Sequence, residues 1–176
     1  THLLDAALRK VLGTHVEQKG SFVTPDYLRF DFSHFRKVTP AELREVERLV
    51  NREIRANHPL VERRDATLAE AQAEGGIMLF GEKYGDRVRM VRFGDSVELC
   101  GGTHTCATGT IGFFKIVSES AVSAGVRRIE AVTGEGAEKV LYAAEDTLQN
   151  VAEFLNNTQV VQAIKKIVES NDALSK

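Results

Sequence analysis

Leu3, Leu4, Ala7, Leu8, Val11 and Leu12 recur at steps of three and four residues. That spacing marks one face of an α-helix, and Gly13 suits its C-terminal stop. Residues 14 to 24 read as extended, and Pro25-Asp26 turns the chain. Leu28, Phe30 and Phe32 then alternate with Arg29 and Asp31, the pattern of a half-buried strand. Thr39-Pro40-Ala41-Glu42 is a capping box with proline at the first helical position, and Leu43, Val46, Leu49, Val50 and Ile54 continue it as a buried stripe ended by His58-Pro59. A short helix is expected from Asp65 to Gly75-Gly76, a buried strand over Ile77 to Phe80, and a turn at Lys83 to Asp86. Further strands are expected around Arg87, Arg89 and Arg92, at Val97 to Leu99, at Ile111 to Val117 and at Arg127 to Val132. From Glu138 the pattern is helical: Val140, Leu141, Ala144, Leu148, Val151 and Leu155 form one stripe, Asn156-Asn157 breaks it, and Val160 to Val168 begins another. Short strands mixed with helices, without regular βαβ alternation, predict an α+β fold.

Composition narrows the function. The chain has 176 residues, enough for one domain or a domain with an appendage, and its 43% hydrophobic content can fill a real core. A net charge of −2 argues against a general nucleic-acid coat, so any RNA contact needs a local basic patch. Two cysteines, six residues apart, make no disulfide framework. No apolar run is long enough to span a bilayer and no signal peptide is visible, so no membrane partner is expected. Arg87, Arg89 and Arg92 read first as a solvated face and second as a phosphate-contacting strip.

The chemistry concentrates at Cys100-Gly101-Gly102-Thr103-His104, just after the strand Val97 to Leu99. A cysteine and a histidine at this spacing can close on one metal ion if the chain turns, and glycine permits the turn. Thiolate with imidazole suits zinc before magnesium or calcium. The pair is only half a tetrahedral site, and on spacing alone it is equally a buried thiol near a surface histidine. The other histidines are His2, His15, His34 and His58. His2 opens the first helix, whereas His15, His34 and His58 have no partner at ligand spacing and read as structural.

Five motifs in order resemble the editing domain of alanyl-tRNA synthetases: Thr1 to Ser21, Leu28 to His34, Gly81 to Asp86, Ser96 to Thr105, and Gly125 to Gly134. The resemblance covers about residues 1–135, and residues 136–176 resemble the start of that family's helical linker towards a C-terminal domain. It implies a mixed sheet with helices on one face, as in the editing domains shared by alanyl- and threonyl-tRNA synthetases, plus C-terminal helices. It also implies zinc held by a His-x-x-x-His pair and a Cys-x-x-x-His pair, with His2, Cys100 and His104 as metal ligands. The first histidine of the set falls three residues before Thr1, so this fragment is expected to hold zinc weakly or not at all and to be correspondingly inactive. Asp5 stands where the family most often has histidine. Gln18 matches a glutamine associated with proofreading and is expected to line the cleft and orient substrate or water, Thr1 is placed to offer its hydroxyl to a serine side chain, the two forming the expected catalytic set, and Arg127 matches an arginine near the substrate cleft.

The implied activity is proofreading within an alanine-tRNA ligase: hydrolysis of the ester in seryl- or glycyl-tRNA(Ala), since one apolar pocket rejects an isostere bearing an extra hydroxyl only about a hundredfold. Aminoacylation is not expected, because ATP binding belongs to an N-terminal domain of the full-length enzyme. Expected partners are the acceptor end of tRNA(Ala), the rest of a synthetase chain, and a second copy through the C-terminal helices; the expected location is the cytoplasm. The alternatives are a free-standing trans-editing hydrolase and a non-catalytic tRNA-binding module whose metal only staples a loop.

Overall fold

The computed structural model describes residues 1–78 and 85–174. The chain divides into two compact units, Thr1–Ala137 and Glu138–Lys176. In the first, helix α1 spans His2–Leu12 and buries Leu3, Leu4, Ala7 and Leu8. Helix α2 spans Pro40–Arg55. Its capping box is complete: Glu42 N donates to Thr39 Oγ1 at 3.3 Å, and Thr39 N donates to Glu42 Oε2 at 2.9 Å.

Strands β1 (Gln18–Val23), β2 (Leu28–Ser33), β6 (Phe114–Ser123) and β7 (Val126–Thr133) form one sheet in the order β1-β2-β7-β6. Strands β3 (Val61–Thr67), β4 (Arg87–Phe93) and β5 (Ser96–Leu99) form a second, in the order β3-β4-β5. Every ladder is antiparallel, where the resemblance implied a mixed sheet; the parallel pairing among the described residues is the bridge Ile77–Glu98. The α+β class holds. Phe30, Phe32, Ile129 and Ala131 of the larger sheet meet Leu4 and Leu8 of α1 and Val46, Leu49 and Val50 of α2 in the main core. Strand β4 serves two cores by its alternation: Val91 and Phe93 enter the main one, while Val88 and Met90 join Ala66, Ala71, Val97 and Leu99 in a smaller one.

Two boundaries differ from expectation. Asp65 belongs to β3, and the short helix α3 is Leu68–Ala73, begun by a second capping box on Thr67 and Glu70. The run Glu62-Arg63-Arg64-Asp65 hid β3, because its charges pair outward, Arg63 with Glu74 at 2.6 Å. The strand expected from Ile111 starts at Phe114, after a 3-10 turn at Thr108–Ile111 and Gly112 at φ 74°. Of the strand expected over Ile77 to Phe80, Ile77 makes only the bridge to Glu98. Leu79 and Phe80, and Lys83 and Tyr84 of the expected turn, lie outside the described residues.

Helix α4 is Glu135–Phe154 and α5 is Val160–Leu174. Asn156, at φ 48°, takes the left-handed conformation that ends the first of them. Leu148, Phe154, Ile164 and Ile167 of these helices are exposed. No described helix is long and apolar enough to cross a membrane.

Candidate metal centre

Three elements bring the expected ligands together. His2 opens α1, Cys100 follows β5, and His104 ends the loop Gly101-Gly102-Thr103. One donor atom from each of His2, Cys100 and His104 lies within 4.8 Å of the others, the one such group of three among the described residues. The two imidazoles stack with centroids 5.0 Å apart, and their Nε2 atoms are separated by 2.9 Å.

The donor set fits zinc. Tetrahedral coordination with ordinary Zn–N and Zn–S bonds asks for donor separations of about 3.3–3.6 Å. The imidazole nitrogens, 2.9 Å apart, need to part by a few tenths of an ångström, and every donor lies within 4.8 Å of the others. Burial, with help from His2 and Arg89, holds the His104 pKa below its ordinary value. This favours the neutral ring that a metal requires.

Two charged residues that pattern reading did not single out for the site support it. Glu98, only 6% exposed, bonds His2 Nδ1 through Oε2. Arg89 ties the metal loop from behind. Its Nη1 donates to Cys100 O at 3.1 Å and to Gly102 O, and its Nη2 donates to Glu62 Oε2 at 3.1 Å and faces His104 Nδ1 at 3.5 Å. A signal for Glu98 was present: it is the one charged residue in Ser96–Leu99, two positions before Cys100 and therefore on the same face of the strand. Arg89 carried no comparable signal, since alternating arginines look like a solvated strand. Arg87 and Arg92 do behave as surface pairs, Arg87 with Asp65 O at 2.7 Å and Arg92 with Glu74 at 2.7 Å.

The cluster opens into a cleft of about 650 Å³ lined by Thr1, His2, Val23, Leu28, Cys100, Gly102, Thr103, His104 and Thr133, among others. Some hydroxyls here are engaged: Thr108 Oγ1 donates to Glu53 O at 2.9 Å, and Thr110 Oγ1 donates to Ala107 O at 2.8 Å. Thr1, Thr103 and Thr133 line the cleft and make no side-chain hydrogen bond among the described residues.

Gln18 and Arg127 are not among the cleft-lining residues. They share one cross-strand row, Gln18 opposite Phe32 and Phe32 opposite Arg127. Val23, which does line the cleft, is five residues further along β1, roughly 16 Å at a strand's rise per residue. The Arg127 guanidinium is bound through Nε and Nη2 to the buried carboxylate of Glu119 at 2.6 Å.

The remaining histidines are engaged elsewhere. His58 Nε2 pairs with Glu53 at 3.0 Å. His15 and His34, nineteen residues apart, are brought by the fold to 2.8 Å and stack beside Phe35. That long-range pair could not be read from sequence spacing.

A family model described as the threonyl and alanyl tRNA synthetase second additional domain matches residues 88–130, which hold β4, β5, the metal loop and most of the β6–β7 hairpin. The alanine–tRNA ligase of Parabacteroides distasonis is 59% identical over all of this chain and 20% of its own length. Those of Bacteroides fragilis and Xanthomonas campestris pv. campestris are 60% and 53% identical with the same coverage. The chain spans about a fifth of the length of these relatives. Over its whole length the chain is similar to a segment of alanine–tRNA ligases, and within it residues 88–130 match the second additional domain of the threonyl and alanyl tRNA synthetases.

Proposed function

We propose that this segment proofreads for an alanine–tRNA ligase by hydrolysing the ester that joins serine or glycine to tRNA(Ala). The observation that carries the reading is the meeting, in one cleft, of the His2, Cys100 and His104 donors with Thr1, Thr103 and Thr133, whose side chains make no hydrogen bond among the described residues. In this reading His2, Cys100 and His104 hold zinc, together with the histidine that the resemblance places ahead of Thr1. Bound zinc supplies a positive charge that can polarise the ester carbonyl or acidify a water.

The rest is done by the chain's own groups. Thr1, Thr103 and Thr133 offer partners to the serine hydroxyl. A methyl in the same place leaves those hydroxyls without a bond, and a site built around a hydrogen bond discriminates strongly against a group that cannot make it. With glycine, a water can occupy the vacated space. The proposed partners are the acceptor end of tRNA(Ala) and the remainder of a ligase chain, in the cytoplasm. A purely structural metal is the weaker reading, because Arg89 already ties the loop carbonyls of Cys100 and Gly102 without one.

The direct test is release of serine, glycine and alanine from charged tRNA(Ala) by this chain and by a version extended to include the expected histidine. Serine and glycine release by the extended version, with alanine spared, is the expected result; equal release of all three, or of none, removes the reading.

Gln18 keeps a part in this proposal on the resemblance alone, and from outside the cleft lining it can play that part only through other residues. Its carboxamide makes no hydrogen bond among the described residues, and it can both donate and accept. Gln18→His in the extended chain is expected to leave the melting temperature nearly unchanged, since partly exposed positions usually shift stability by about 0.5 kcal/mol or less. Serine release is expected to fall at least about tenfold, roughly 1.4 kcal/mol of transition-state stabilisation. Unchanged release would return Gln18 to an ordinary strand residue.

A further inference from the structure

The outer face of α2 carries a charge pattern that the fold does not require. Arg44, Arg48, Arg52 and Arg55 fall at i, i+4, i+8 and i+11, so they form one ridge along the helix, and all four are exposed. The buried face lies opposite, in Val46, Leu49, Val50, Asn51 and Ile54. The helix also holds four glutamates, and three of them are tied to structural partners. Glu42 closes the capping box and accepts from Arg36 Nη1 at 2.8 Å. Glu47 accepts from Lys115 Nζ at 2.8 Å and from the backbone N–H of Ile116 at 2.9 Å. Glu53 pairs with His58 through one oxygen and with Arg52 through the other. Glu45 stays beside the ridge, where its bond to Arg48, helped by the charges of Arg52 and Lys10, lowers its carboxyl pKa. Arg44 and Arg55 make no ion pair or side-chain hydrogen bond among the described residues.

The plain alternative is a solvated helix face. Such a face gains from a glutamate four residues before an arginine, whereas like charges at that spacing weaken the helix. Here Arg44 neighbours Arg48, Arg48 neighbours Arg52, and Arg52 neighbours Arg55, all like-charged. The ridge lowers the stability of α2 slightly and returns nothing in packing, which is the mark of a surface kept for a partner.

We propose that this ridge binds the phosphate backbone of a tRNA stem without reading its sequence. The proposal rests on the reading that tRNA(Ala) is the substrate, and it adds the surface that holds it. Guanidinium presents a planar fork that matches phosphate oxygens. At 1.5 Å per residue the ridge is about 16 Å long, enough to follow several successive phosphates of one strand. The chain as a whole carries a charge of −2, so an RNA contact needs a local basic patch of this kind. Ala41 and Ala56 are the other exposed residues beside the arginines, so the face offers no aromatic or large apolar anchor. A protein partner would need such an anchor at the centre of its interface; a phosphate backbone does not.

The test is fluorescence anisotropy of labelled, uncharged tRNA(Ala) with the 176-residue chain, over salt concentrations of about 50–200 mM. Binding is expected in the non-specific range, with Kd about 10⁻⁶–10⁻⁴ M. Arg44→Gln with Arg55→Gln removes the two guanidiniums that have no partner. This double variant should bind at least about tenfold more weakly at the lowest salt, and the slope of log K against log salt should shrink by about 1.4–1.8, the share of two phosphate contacts. Arg44→Lys with Arg55→Lys should keep most of the slope, because the charge remains. Arg87→Gln with Arg92→Gln makes the same charge change on β4 and should bind as the unmutated chain does. The glutamine pair on α2 should melt no lower than the parent, since it relieves like-charge repulsion. An unrelated RNA hairpin should lose affinity by the same factor, because phosphates carry no sequence. No binding at the lowest salt overturns the proposal. So does a full slope in the α2 glutamine variant, an equal loss in the β4 variant, or a loss confined to tRNA(Ala). None of these measurements uses charged tRNA or metal, so the two readings fail separately. Ridge-dependent binding without serine release removes the proofreading proposal and leaves this one. Serine release by the extended chain that the α2 glutamine pair does not slow, at enzyme concentrations below saturation, removes this one and leaves proofreading.

Discussion

Cys100→Ala in the extended chain will cut serine release from mischarged tRNA(Ala) at least about a hundredfold, roughly 2.7 kcal/mol of transition-state stabilisation. Thiolate is the one soft donor in the set, and without it two or three imidazoles hold zinc more weakly. Chelation of the unmutated protein should give the same loss, and added zinc should reverse it only where Cys100 is present. The fold should survive the change. The thiol packs at the margin of the main core, which is filled by Phe30, Phe32, Leu4, Leu8 and their neighbours. The hydrogen bond that Sγ makes is a 3.4 Å contact from Gly102 N, and the loop is still held by Arg89 and by Cys100 N donating to Arg89 O at 3.2 Å. Thermal melts of the same preparations decide between roles. A collapse of stability in parallel with activity would make the metal a staple. Undiminished release would move the chemistry away from this cluster altogether.

What was legible in the sequence was local. The alternation of Leu28, Phe30 and Phe32 with Arg29 and Asp31 gives β2 because the period of a half-buried strand is written in adjacent residues. Thr39 and Glu42 announce the start of α2 because a capping box is a contact across three positions. Cys100 and His104 announce half a metal site for the same reason. What was hidden depends on partners far along the chain. Strand β3 exists because Val61 to Arg63 pair with Met90 to Arg92, and nothing within a charged heptapeptide reports that neighbour. The His2–Glu98 contact spans 96 residues and the His15–His34 contact 19, so neither has a spacing to recognise. The strands of the expected mixed sheet pair antiparallel, in two sheets, for a related reason: strand spacing shows where strands are, and pairing is set by which faces they bury. Gln18 and Arg127 show the reverse limit, since a motif match fixes a position in the alignment and only the register of β1, β2 and β7 fixes its distance from the cleft.

Asp5→Asn should stabilise the metal-free chain at neutral pH, by an amount that disappears in acid. Asp5 is 3% exposed, and its Oδ1 has no hydrogen-bond partner among the described residues. Burial, reinforced by the charge of Glu98, pushes its carboxyl up from 3.8 to about 6. The sign follows from linkage. The folded state keeps the proton to higher pH than the unfolded state, so well below 3.8, at about pH 2–3, where both forms are protonated, the group costs nothing. As pH rises towards 6 the unfolded chain releases its proton first, and stability falls until the folded carboxyl also ionises. Two pKa units correspond to roughly 3 kcal/mol at pH 7, an order-of-magnitude figure. Asparagine has nearly the same shape and no charge, so it removes the pH-dependent part and keeps the packing of α1. At roughly 2–4 °C per kcal/mol for a chain of this size, the melting temperature of Asp5→Asn should exceed that of the unmutated chain by about 6–12 °C at pH 7 and match it at about pH 2–3. Parallel melts across that range, in chelator, test the prediction. A variant less stable than the parent at pH 7 would mean that the Asp5 carboxylate is held by favourable charge at the start of α1, with Arg9 and His2 outweighing burial and Glu98.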